Sequence, residues 1–245
     1  ISVGTGTTSD GGDISISTGD TNELTGGTIS LTAKLGTSKS SGSIRVKTSN
    51  AGVNGVSGEL SFTSGTASSG SSGRIALTTG AATHGKGGNI ELSGGAGSKY
   101  SGSDVMLTAG ETTAASTSGG VVTITGGAGS STTGAQGGYV SVTSGRGQGA
   151  TGGFVSFTAG YGTATSSGSV ILKTKNAGTN GVSGSISFST GTSSSGSSGA
   201  ISVSTGAATG GKSGRITFSV STGAVGTGGD IQFNAGDTST AAGTT

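Results

Sequence analysis

The chain has 245 residues, of which 28% are hydrophobic and 4% aromatic, too few apolar side chains for a conventional globular core of that length. Its 56 Gly disfavour helices, the absence of Pro leaves backbone hydrogen-bond ladders uninterrupted, and the absence of Cys excludes disulfides and thiolate metal sites. The formal net charge is only +2, and the 12 Lys and Arg are scattered, which argues against nucleic-acid binding. The longest aliphatic runs are only a few residues, so no membrane span is predicted.

An apolar pair recurs about every fifteen residues along the whole chain, a period that indicates a repeat array. The two members of a pair are separated by one residue, which puts both side chains on one face of a predicted strand. The first members, mostly β-branched and therefore suited to strands, are Ile1, Ile14, Ile29, Ile44, Leu60, Ile75, Ile90, Val105, Val122, Val140, Val155, Val170, Ile186, Ile201, Ile216 and Ile231. The second members are Val3, Ile16, Leu31, Val46, Phe62, Leu77, Leu92, Leu107, Ile124, Val142, Phe157, Leu172, Phe188, Val203, Phe218 and Phe233.

The residues between successive pairs are small and rich in Gly, Ser and Thr, as in residues 65–73, and such segments are typical of turns. We therefore expect each unit to form one coil and the coils to stack about 4.8 Å apart through paired strands. The predicted fold class is all-β: a single-chain β-solenoid of about sixteen coils of about fifteen residues each.

A longer period is superimposed on the shorter one. The segment at residues 50–58 recurs at residues 176–184, 126 residues later, an offset that equals eight coils. We interpret residues 1–245 as one continuous β-solenoid with eight-coil modules at about 1–104 and 105–230, and with residues 231–245 as a last coil that continues the array.

Neither predicted terminal coil resembles the polar or bulky cap that solenoids use to cover their ends. A further fifteen residues after Ile231 would bring the register back to the position of Ile1. We therefore predict a head-to-tail interface made by Ile1, Val3, Ile231 and Phe233. Such a heterologous contact does not close on itself and propagates as a filament.

Val121, Tyr139 and Phe154 occupy equivalent outward positions in three successive units. They predict an exposed apolar ladder, which is either a lateral interface between copies or a site of local stacking.

Residues that could carry chemistry are sparse. The one His, His84, lies in a Gly-rich turn, and the acids Glu59, Glu91 and Asp104 are isolated from one another. The Gly-Gly-Asp sequence that ends at Asp230 lacks the nine-residue spacing of calcium-binding repeats. The sequence thus predicts no enzyme, no metal site and no cofactor.

The repeat style, illustrated by residues 27–36, resembles Gly/Ser/Thr-rich β-solenoid repeat regions of secreted fibres and fibrous surface adhesins of algae and bacteria. The resemblance implies an extracellular or cell-surface protein with a structural function, whose main partner is itself. The leading hypothesis is therefore a subunit or segment of an extracellular fibre that stacks head-to-tail.

The first alternative is an ice-binding protein, because β-solenoids of that class resemble this protein in their outward Thr ladders. Hydroxyl pairs such as Ser156 and Thr158 favour it. The outward row is interrupted by Arg45, Glu91, Met106 and Ile171, which counts against it.

The second alternative is a carbohydrate-binding or adhesive surface. Tyr100, Tyr139 and Tyr161 would serve as stacking platforms, although they occupy unrelated positions in their units. Lys47 and its equivalent Lys173 would bind an anionic extracellular polysaccharide, or else keep exposed edges soluble by charge repulsion.

Overall fold

The computed structural model describes residues 2–3 and 11–236. None of these residues lies in a helix or a strand. The prediction of an all-β fold, and with it the β-solenoid of stacked strands, is therefore wrong for the part of the protein that the structure describes.

Segments without regular secondary structure instead alternate with bends and turns. The bends recur about every fifteen residues, between successive apolar pairs. They lie at residues 22–24, 37–39, 53–54, 68–70, 83–85, 98–100, 114–116, 132–134, 148–150, 163–165, 179–180, 194–196, 209–211 and 224–227. The repeat is thus visible as a series of loops, while the strands expected between them do not pair.

The protein divides into two units, Ile1–Thr123 and Ile124–Thr245. The division lies within an apolar pair, between Thr123 and Ile124, and not after residue 104. The proposed module boundary stays a prediction, because it rests on sequence repetition and not on the separation of these units.

In the first unit, backbone hydrogen bonds close several of the loops at their base. The Gly27 N–H donates to the Gly19 carbonyl at 3.3 Å, and the Gly120 N–H donates to the Gly110 carbonyl at 2.9 Å. The Ser103 N–H makes the equivalent bond across another loop. These bonds connect residues eight to ten positions apart, across the loop between one apolar pair and the next, and they do not form a strand ladder.

The second unit closes its loops in the same way, with the Gly138 N–H bonded to the Gly127 carbonyl at 2.8 Å. The Gly153 and Gly168 N–H groups each donate at 2.9 Å to a carbonyl eight residues earlier. The loop between Gly127 and Gly138 spans more residues, and it lies where the spacing between apolar pairs is longest. Extra residues are therefore accommodated in the loop.

No side chain is buried in the described part of the protein. First members of the apolar pairs are 45–64% exposed, and second members are 46–79% exposed. The pairs thus form no closed hydrophobic core.

A physical reason for the incorrect prediction is that each fifteen-residue repeat has little apolar surface to bury. Alternation with a period of two places both members of a pair on one face, but it does not bring another strand within hydrogen-bonding distance. Two apolar side chains contribute little against the conformational entropy of ordering about fifteen residues rich in Gly. Local loop closure is achieved because it orders fewer residues at a time.

Candidate self-association surface

The two ends of a loop lie close together at its base, in a region that we call the loop neck. A loop neck consists of the residue two before a first member, which is Gly except for Ser103 before Val105, and the residue two after the preceding second member. At one neck, a Cβ placed on Gly153 would lie 3.4 Å from the Ser144 Cβ, and at the next, a Cβ on Gly168 would lie 3.5 Å from the Ala159 Cβ. The loop neck therefore brings the end of one apolar pair close to the start of the next.

The clearest result of this arrangement is a contact between Phe218 and Phe233. They are the second members of successive pairs, and their ring centroids are 6.0 Å apart with the planes at 80°, an edge-to-face geometry that aromatic pairs favour. The neck between them is formed by Val220 and Gly229. Equivalent side chains fifteen residues apart can thus meet without pairing of their backbones.

The apolar pairs remain open to solvent despite this contact. Phe218 is 64% exposed and Phe233 is 79% exposed. In the first unit Phe62 is 67% exposed, and its equivalent in the second unit, Phe188, is 70% exposed. We treat the apolar pairs of each unit as a candidate self-association surface.

The predicted head-to-tail residues are only partly described. Ile1 lies outside the described residues, Val3 belongs to the first unit, and Ile231 and Phe233 belong to the second. Val3 is 46% exposed and Ile231 is 48% exposed. The head-to-tail interface stays a prediction.

The predicted lateral residues are highly exposed, each above 80%. Val121 lies in the first unit, whereas Tyr139 and Phe154 lie in the second. The structure therefore describes no common surface for the three, and the lateral interface also stays a prediction.

Among residues 2–3 and 11–236 the structure has no cavity and no cluster of three or more potential metal ligands. His84, Glu59, Glu91 and Asp104 are all exposed. No helix in the described ranges is long and apolar enough to cross a membrane.

The tyrosines proposed as carbohydrate platforms are exposed, with Tyr100 at 82% and Tyr161 at 87%. The Lys99 ammonium lies 6.0 Å from the centre of the Tyr100 ring, at the outer limit of a cation–π interaction. This contact was not predicted, although the sequence places Lys and Tyr next to each other in a Gly/Ser-rich loop.

The outward hydroxyl groups also interact with one another. Ser156 Oγ and Thr158 Oγ1 are 3.4 Å apart, at the long end of hydrogen-bonding distance. Thr112 Oγ1 and Thr117 Oγ1 lie 3.0 Å apart within one loop. The ice-binding and carbohydrate-binding alternatives both stay predictions.

No family model, no curated protein and no solved structure matches this sequence.

Proposed function

We propose that this is a structural, non-enzymatic protein of an extracellular fibre or surface layer, and that it associates with copies of itself through the apolar pairs. The observation that carries the proposal is the exposure of the residues that a globular protein would bury. Its extracellular location is supported by the Gly/Ser/Thr-rich repeat style and its resemblance to secreted surface proteins.

Exposed apolar surface supports association because burying it releases about 25 cal/mol for each Å² removed from water. Soluble monomers rarely expose a contiguous apolar patch of more than a few hundred Å². Here each Ile, Leu, Val and Phe of the apolar pairs in the described residues is about half exposed to water or more. A second copy offers the same side chains at the same fifteen-residue spacing, so it is a chemically matched partner.

Repetition supports an open-ended assembly in particular. A protein that presents the same pair many times allows many weak contacts to act together, and linking them raises the overall affinity without any new type of contact. Two copies can also meet in shifted registers, which leaves unpaired repeats free for a third copy. Shifted contacts of this kind do not close and therefore propagate.

The first test measures assembly against concentration. Sedimentation velocity and negative-stain microscopy should show small species in dilute solution and longer assemblies as the protein concentration rises. A monomer at every concentration would contradict the proposal.

Matched variants test whether the apolar pairs are the contact surface. Phe62 and Phe188 are second members at equivalent positions of the two units, so F62S/F188S removes apolar area from both. Val56 and Val182 are equivalent loop residues that are 96% and 97% exposed, and V56S/V182S removes apolar area outside the pairs. We expect F62S/F188S to raise the concentration needed for assembly by roughly tenfold or more, since fully burying a Phe contributes about 1.5–3 kcal/mol, while V56S/V182S has little effect.

Equal effects of the two double variants would show that general hydrophobicity, and not the apolar pairs, drives association. The two double variants carry the same number of substitutions, and neither changes the net charge of the protein.

A further inference from the structure

Two Asn-Gly sequences stand out among the loops. The protein has seven Asn residues, and only Asn54 and Asn180 are followed by Gly. They occupy the same position in the two copies of the segment that recurs 126 residues apart. The feature is independent of the apolar pairs and of the function proposed for them.

The two loops have the same geometry. Gly55 N–H donates to the Gly52 carbonyl at 3.2 Å, and Gly181 N–H donates to the Gly178 carbonyl at 3.2 Å. In each case Asn is the residue immediately before the donor, at the third position of a four-residue turn. The match holds although residue 53 is Val and residue 179 is Thr.

Little surrounds either turn. Val53 and Val56, on either side of the first Asn-Gly sequence, are 102% and 96% exposed, and Val182 beside the second is 97% exposed. A Cβ built on Gly52 or on Gly178 would meet no atom within 4 Å. Each turn is thus open to water and free to change its backbone angles.

We propose that Asn54 and Asn180 are sites of spontaneous deamidation, at which the protein modifies itself with water as the only co-reactant. The deprotonated backbone nitrogen of the following Gly attacks the carbonyl carbon of the Asn side-chain amide. A bond forms between these two atoms, the bond from that carbon to the amide nitrogen breaks, and ammonia leaves, which produces a five-membered succinimide. Water then opens the ring at either carbonyl and gives aspartate or isoaspartate, with no change in oxidation state.

Gly is the residue that permits this attack. The ring requires the Asn amide and the next backbone nitrogen to approach each other, and a Gly without a Cβ allows the necessary backbone rotation. The one backbone bond that holds each turn is solvent-exposed and must open first, because it occupies the N–H of the attacking nitrogen. The four Asn residues at positions 50, 89, 176 and 234 are followed by Ala or Ile, which hinder the same rotation.

The modification has two physical consequences. Each event replaces a neutral amide by a carboxylate, so two events take the formal net charge of the protein from +2 to zero. Isoaspartate also adds a methylene group to the backbone, which removes the spacing that lets Gly55 N–H reach the Gly52 carbonyl. A net charge near zero promotes association and precipitation, so the tendency to associate rises as the protein ages.

The test uses the full-length protein, incubated in buffer at neutral and at mildly alkaline pH. Trypsin then releases residues 48–74 and 176–212, each of which includes one Asn-Gly site and one Asn-Ala control. Fragmentation mass spectrometry should show a gain of about one dalton, the amide-to-acid change, at Asn54 and Asn180 and none at Asn50 and Asn176. The conversion should be faster at the higher pH, because the attacking nitrogen must lose its proton.

G55A and G181A provide the matched variants. A Cβ on Gly55 would lie 3.5 Å from the Ala51 Cβ, and a Cβ on Gly181 would lie 3.5 Å from the Ala177 Cβ, both ordinary van der Waals contacts. Neither Gly has a positive φ, so Ala fits both turns. We expect loss of the mass gain in these variants, whereas equal rates at Asn50 and Asn54, unchanged modification in G55A, or no modification at all would overturn the proposal.

Discussion

Gly126 and Gly127 are neighbours in the sequence, but their surroundings differ. A Cβ on Gly126 would collide with the carbonyl oxygen of Gly138, whereas a Cβ on Gly127 would have no atom within 4 Å. Gly is therefore required at position 126 because the backbone of Gly138 approaches too closely for a Cβ, whereas at position 127 Gly contributes only its general flexibility. At the residue scale, the loops therefore depend on particular glycines and not on Gly content as a whole.

We predict that G126A opens this loop and that G127A does not. The Gly138 N–H closes the loop by donating to the Gly127 carbonyl, and a net hydrogen bond contributes about 0.5–1.5 kcal/mol. Hydrogen exchange at the Gly138 amide should accelerate by up to roughly tenfold in G126A and remain at the parent rate in G127A. Equal exchange in both variants would mean that the collision is relieved without opening the loop.

At the scale of elements, the sequence was informative about loops and misleading about strands. Gly, Ser and Thr between the apolar pairs indicated turns, and bends occur there, at 68–70 between Phe62 and Ile75 for example. Turn chemistry is local, so a few residues determine it. Strand pairing depends instead on a second segment at hydrogen-bonding distance. The residues of one apolar pair, such as Leu60 and Phe62, do not determine whether such a segment lies there.

The candidate surface, too, was predictable from the sequence only in part. The apolar pairs could be identified from their period, and their composition explains the contact between Phe218 and Phe233. Their exposure could not be predicted, because the sequence specifies which side chains share a face but not whether anything covers that face. The loop necks were also missed, since the approach of Gly153 to Ser144 joins positions on either side of a loop.

Circular dichroism provides a direct test of the elements. We expect the far-UV spectrum of the protein in dilute solution to lack the bands of helices and strands. Adding guanidinium chloride should change the spectrum little, because there is no hydrogen-bonded ladder to lose in the described residues. A strand band that disappears cooperatively in denaturant would contradict the structure.

For the molecule as a whole, the absence of a buried core in the described residues has a calorimetric consequence. The heat-capacity change of unfolding arises mainly from exposing apolar surface, and here the apolar pairs are already exposed in the single molecule. Dilute protein should therefore show no cooperative thermal transition in scanning calorimetry. Association would bury the apolar pairs, so a transition should appear as the concentration rises, and its midpoint should increase with concentration.

The F62S/F188S variant connects this thermal behaviour to the proposed contact surface. Because it removes apolar area from both units, its transition should appear only at higher concentration than in the parent protein, while V56S/V182S should match the parent. A transition that is present in dilute solution and independent of concentration would indicate a core within the single molecule. In that case the side chains of the apolar pairs would be internal packing groups, and self-association would need a different surface.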